Sequence, residues 1–133
     1  MLDLLEIKDW LKTKTDVGDG IAVGAIKGEK LRYIGVYDGK NAARQRVCLG
    51  GLGQTGYQER TISILVHWTK NPSQAAAKAA EIHGLFCGLS KEPMKDHCIV
   101  MADPGGQPLS VGPDATGVYE YVINAKITYE RMR

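Results

Sequence analysis

The residue pattern predicts an α+β fold: a mostly antiparallel β-sheet, one main helix packed on a face, and an N-terminal helix beside it. Three observations carry this. Val118 to Arg131 alternates with period two for longer than the usual strand of about 5–6 residues. Arg60 to Thr69 alternates in the same way. Ala75, Ala79, Ile82, Phe86 and Leu89 recur at helical spacing after Asn71-Pro72. Strands and helices do not alternate regularly, which argues against a doubly wound parallel sheet. The chain has 133 residues, a single domain's worth, so one domain is expected over 1–133.

Leu4, Ile7 and Leu11, widened by Leu5 and Trp10, mark a helix over about 2–14. Acids lie early in it and lysines late, which suits the helix dipole. Asp16 to Gly20 ends it with two glycines and two aspartates. Ile21 to Ile26 reads as a strand, Lys27 to Lys30 as a hairpin turn, and Leu31 to Tyr37 as the return strand. Residues 39–58 read as a glycine-rich loop around a brief Val47-Cys48-Leu49 strand. In Arg60 to Thr69, Ile62, Ile64, Val66 and Trp68 share one face. Asn71 is the expected N-cap and Pro72 the first residue of a helix over about 72–88. Gly88 and Pro93 end it. His97 to Ala102 reads as a short strand and Gln107 to Val111 as an edge strand. In the last strand, Tyr119, Tyr121, Ile123, Ala125, Ile127 and Tyr129 share a face. Its length makes it central, or carries it past the body of the domain toward a neighbour.

Composition removes several function classes. A net charge of +2 argues against a dedicated nucleic-acid binder. No run approaches the roughly 18 apolar residues of a membrane span, and the acid-containing N-terminus does not read as a signal peptide. Three cysteines make an odd set, so a reduced, intracellular chain with buried or half-buried thiols is expected. Glycine stands out, at 16 residues against a usual share of about 7%. Ten of them lie between Gly18 and Gly56.

No constellation supplies chemistry, so no catalytic residue, metal site or cofactor is expected. Gly51-Leu52-Gly53-Gln54-Thr55-Gly56 spells G-x-G-x-x-G, the basis of an alternative reading as a nucleotide-binding enzyme. That motif should open a helix, whereas Tyr57 to Trp68 alternates as a strand. His83 with Cys87, and His97 with Cys98, do not have finger spacing. Adjacent His97 and Cys98 on a strand point to opposite faces, and the plain reading is a buried thiol with two surface or interfacial histidines. No serine lies in a nucleophile elbow, and Glu120 and Glu130 are too far apart for paired acid–base work. Residues 39–58 contain no acid but hold Lys40, Arg44 and Arg46, with Tyr57 adjoining. They could touch phosphates as a small DNA-binding accessory protein would. A subunit interface is the favoured reading, because Arg and Tyr are enriched there and the whole chain is nearly neutral. Tyr119, Tyr121 and Tyr129 are further interface or lumen candidates, with the core as the commoner fate of tyrosine.

The run Arg60-Thr61-Ile62-Ser63-Ile64-Leu65-Val66-His67-Trp68-Thr69-Lys70-Asn71 leads straight into an alanine-rich helix. Gly112-Pro113-Asp114-Ala115-Thr116-Gly117-Val118-Tyr119-Glu120-Tyr121-Val122-Ile123 then leads into a strand closing at Tyr129-Glu130-Arg131. With the order of elements around them, these segments resemble the bacteriophage minor capsid proteins of the tail-terminator and tail-completion group. The resemblance implies a non-enzymatic virion protein of the tail or neck, assembled in the host cytoplasm as a homo-oligomeric ring, often a hexamer. Such a ring stops tail-tube polymerisation and joins the tube to the head-completion (connector) proteins. DNA passes through its lumen without specific binding. The family supplies no catalytic residues.

Overall fold

In a computed structural model, the structure describes residues 3–18, 20–24, 32–39, 58–94, 97–115 and 117–131. Helix α1, Leu4–Lys14, begins where Asp3 and Glu6 form a reciprocal capping box. The Asp3 carboxylate accepts from the Leu5 amide at 3.0 Å, and Glu6 Oε2 accepts from the Asp3 amide at 2.9 Å. Lys12 and Lys14 occupy the last turn. Helix α2, Pro72–Cys87, is capped by Asn71, whose side chain accepts from the Ser73 and Gln74 amides. Gly88 ends it. Both boundaries follow the cap residues of the sequence.

The described strands are β1 Gly20–Val23, β2 Tyr33–Asp38, β3 Gln58–His67, β4 Ser90–Met94, β5 His97–Asp103, β6 Leu109–Pro113 and β7 Tyr119–Arg131. They form one sheet in the order β1-β2-β3-β7-β5-β4, with β6 also on β7. The long last strand is central, the first of the two outcomes its length allowed. On one side β3 runs beside it from Gln58↔Tyr129 to His67↔Glu120. On the other side β6 pairs with Tyr119 to Val122, and β5 with Lys126 to Arg131.

One expected pairing is corrected. β1 and β2 are not the two arms of a hairpin but run parallel, Gly20↔Tyr33 to Val23↔Val36. Two short apolar runs with a glycine turn signal between them fit a hairpin locally. In the parallel register Ile21 and Val23 lie beside Ile34 and Val36 and pack onto the core. The turn expected at 27–30 and the brief strand at 47–49 lie outside the described residues. Strand β4 has no apolar alternation and was not expected. It exists because β5 offers it a ladder, Glu92↔Ile99 to Met94↔His97.

One face of the sheet and both helices build the core. Ile62, Ile64 and Val66 of β3 are fully buried, with Ile123, Ala125 and Ile127 of β7 beside them. Ala75 and Ala79 let α2 approach this face closely, and Ile82 and Phe86 fill the remainder. Trp10 of α1 meets Phe86 of α2 at 5.7 Å between ring centroids, so both helices lie on the same face. The N-terminal turn needs glycine at position 18. Its φ is +66°, and a Cβ there would clash with the Arg32 Cβ.

Candidate functional site

The sequence-derived candidates do not converge. Lys40, Arg44, Arg46 and Tyr57 lie outside the described residues, as do Gly51, Gly53 and Gly56. The described chain resumes at Gln58 as strand β3, where a dinucleotide-binding motif would lead into a helix. Tyr129 is buried at 3% exposure and donates its hydroxyl to Gln58 Oε1 at 3.1 Å. Tyr119 and Tyr121 are half-buried and pack against the core.

The expectations for Cys87 and His97 are corrected, while half-buried Cys98 and the surface position of His83 agree with the sequence reading. Cys87 is exposed, because it closes α2 on the turn beyond the Ile82–Phe86 face. Cys98 is half-buried, and Cys48 lies outside the described residues. His83 ties α2 to the loop after β5, with Nε2 2.7 Å from the Gly106 carbonyl. A carbonyl only accepts, so Nε2 donates, and Nδ1 is left to accept from the Cys87 thiol at 3.6 Å. His97 is buried rather than superficial. Its Nδ1 donates to Glu6 Oε1 at 2.9 Å, and its ring stands edge-on to Tyr129 at 5.3 Å. Among the described residues no group of three or more His, Cys, Asp or Glu is placed to hold a metal ion.

Two polar clusters were not legible beforehand. In the first, Lys78 is buried on the inner side of α2. Its ammonium donates to Thr15 Oγ1 at 2.6 Å and Glu81 Oε2 at 2.7 Å, and lies 4.8 Å from the Trp68 ring centroid. The Thr15 hydroxyl also donates to Glu81. The hydrogen bonds from Lys78 and Thr15 hold the Glu81 carboxyl below its ordinary range. An open groove of about 300 Å³ lies over this cluster, lined by Arg32, Trp68, Gln74, Ala77, Lys78 and Glu81. In the second, His67 Nε2 lies 2.8 Å from Asp114 Oδ2, and Asp114 Oδ1 accepts from the Val118 amide at 3.0 Å. This pins the turn between β6 and β7 to the end of β3. Glu120 pairs across from His67, and burial pushes its carboxyl pKa up. Both clusters are saturated by their own partners and fix elements in place. Neither presents a nucleophile beside a base and an oxyanion donor.

The surface carries a clearer signal. Among the described residues the exposed large hydrophobic side chains are Leu5, Val100, Met101, Leu109 and Val111. Four of these five belong to β5 and β6, next to one another along one edge of β7. Leu109 and Val111 are 61% and 59% exposed, on a strand with no second neighbour among the described residues. Apolar side chains this exposed are the kind that contact surfaces carry, while Pro113 and the register shift between Ser110 and Gly112 protect the edge itself against strand pairing. The sequence held this signal in the Leu109 and Val111 alternation of the expected edge strand.

No helix of the described residues is long and apolar enough to cross a membrane. No curated protein matches the chain. One solved structure, which carries no functional description, aligns over 97% of this chain and 89% of its own at 16% identity. Its TM-score is 0.49, too low to support an argument about function. The model of the family described as "Bacteriophage tail terminator protein" matches residues 8–131. That span runs from the first turns of α1 to the end of β7, and it takes in every strand of the sheet. The chain therefore belongs to the bacteriophage tail terminator family.

Proposed function

We propose that this chain caps the end of the phage tail tube and joins it to the head-completion proteins. The family match over 8–131 carries the reading. In this reading several copies, six by the family resemblance, close into a ring whose lumen passes DNA without gripping it. The near-neutral net charge of +2 suits a surface along which DNA slides. The protein acts through its surfaces rather than through chemistry, as a part of the virion assembled in the host cytoplasm. Ring contacts of this kind are head-to-tail and close by rotation, so each copy needs two different, complementary surfaces. Lys40, Arg44, Arg46, Tyr57, Tyr119 and Tyr121 remain its candidates for interface or lumen, and Tyr129 would support such a surface from within the core.

Electron microscopy of tail tubes assembled with and without the chain tests the reading. Tubes of uniform length ending in a ring of added density are expected in its presence. Tubes that keep lengthening, with bare ends, would refute it.

A further inference from the structure

Helix α2 ends on two side chains of metal-binding type. His83 and Cys87 stand four apart, so they are neighbours on one face of its last turns. Cys87 is exposed, and its Sγ lies 3.6 Å from His83 Nδ1 and 4.0 Å from Nε2. Imidazole and thiolate are the donors that zinc and softer divalent ions take. Zinc bonds of about 2.3 Å to sulfur and about 2.0–2.1 Å to nitrogen, at a tetrahedral angle, put the two donors about 3.5 Å apart. The pair stands at that separation. The two sulfur distances set Sγ beside the ring rather than on the axis of the Nδ1 lone pair, so binding requires a rotation of the exposed Cys87 side chain.

Two further features favour a cation here. His83 Nε2 donates to the Gly106 carbonyl at 2.7 Å, which leaves the lone pair on Nδ1, the nitrogen nearer the sulfur. A backbone carbonyl on the far ring nitrogen is the partner with which metal-bound histidines fix their tautomer and ring plane. The last turn of α2 is also the negative end of the helix dipole, and it holds no basic residue. The second His–Cys pair has none of this. His97 and Cys98 are adjacent on a strand, on opposite faces, and His97 Nδ1 is given to Glu6.

We propose that His83 Nδ1 and Cys87 Sγ chelate one thiophilic divalent cation, such as zinc, on the last turns of α2. The proposal is independent of tube capping. On binding, a sulfur–metal bond replaces the S–H bond, and the proton passes to solvent. The imidazole lends its Nδ1 lone pair and keeps its Nε2 proton on the Gly106 carbonyl. Two protein donors leave the remaining positions of the ion to water, so the site is open and the ion exchanges. The bound ion ties the end of α2 to the loop after β5, because His83 reaches both.

Cadmium and zinc, added as simple salts to the reduced full chain, test it. Cadmium should give a sulfur-to-metal charge-transfer band that saturates at one ion per chain. Cys87→Ser should abolish the band, and Cys48→Ser/Cys98→Ser should keep it. His83→Gln keeps the thiol but loses the chelate, so it should need at least about tenfold more cadmium for half saturation. Zinc should move the Nδ1 resonance of His83 in nitrogen NMR spectra of the wild type while Nε2 stays protonated, a signature that depends on no variant. Four results would overturn the proposal: no charge-transfer band, a band that survives Cys87→Ser or is lost in Cys48→Ser/Cys98→Ser, an unchanged cadmium affinity in His83→Gln, or a His83 Nδ1 resonance that zinc leaves in place.

Discussion

Replacing Glu6 with alanine removes one side chain from two tasks. Its Oε2 accepts from the Asp3 amide at the start of α1, and its Oε1 accepts from His97 Nδ1 on β5. Both residues are nearly closed to solvent, at 6% for Glu6 and 9% for His97. Losing the capping contact costs about 0.5–1 kcal/mol. Leaving the buried imidazole N–H without its acceptor costs about 1–3 kcal/mol. The variant should therefore lose about 3 kcal/mol, a large share of the roughly 5–15 kcal/mol that holds a domain folded. At this chain length that corresponds to a fall in Tm of about 10 °C. Urea unfolding followed by circular dichroism measures the loss, and a double-mutant cycle with His97→Ala isolates the pair. A coupling of about 0.5–3 kcal/mol is expected between the two positions. A loss below about 1 kcal/mol, or strict additivity of the two variants, would refute the claim that this contact holds α1 to the sheet.

Glu120 gives a pH-dependent prediction. Burial raises its pKa in the folded chain, so its favourable contribution is complete below the ordinary carboxylate value near 4.5 and is lost as pH rises through the raised value. Glu120→Gln should therefore raise Tm at pH 7, and the gain should vanish below about pH 4.5, where Glu120 is neutral as well. A gain that persists in acid would contradict this. Gly18→Ala places a side chain at φ +66° against the Arg32 Cβ. It should cost at least about 2 kcal/mol, and an unchanged urea midpoint would show that the turn accommodates it.

The elements that could be read from the chain are those whose signal is local. Helix α2 announces itself through Asn71, Pro72 and an apolar stripe, and β3 and β7 through strict alternation. Where long-range contact decides, local pattern is silent. The parallel partnership of β1 and β2 leaves no trace in either strand. Ser90–Met94 carries no strand signal and becomes one by lying next to β5. His97 is buried because Glu6, 91 residues away, meets it. Lys78 is buried because Glu81 offsets its charge and Thr15 accepts a hydrogen bond from its ammonium. The expected interface residues at 40–57 lie outside the described residues, while the exposed apolar side chains of β6 emerged from a strand expected only as an edge.

The position of β7 has a consequence for how the chain is made. It comes after every other described strand, yet it joins β3 on one side to β5 and β6 on the other. Until it leaves the ribosome, β2–β3 and β4–β5 share no neighbour, and the apolar face of β3 has no flanking strand on that side. Pairings so distant in sequence are slow to form. The strands β1 and β6 therefore come to flank one sheet only after β7 has inserted.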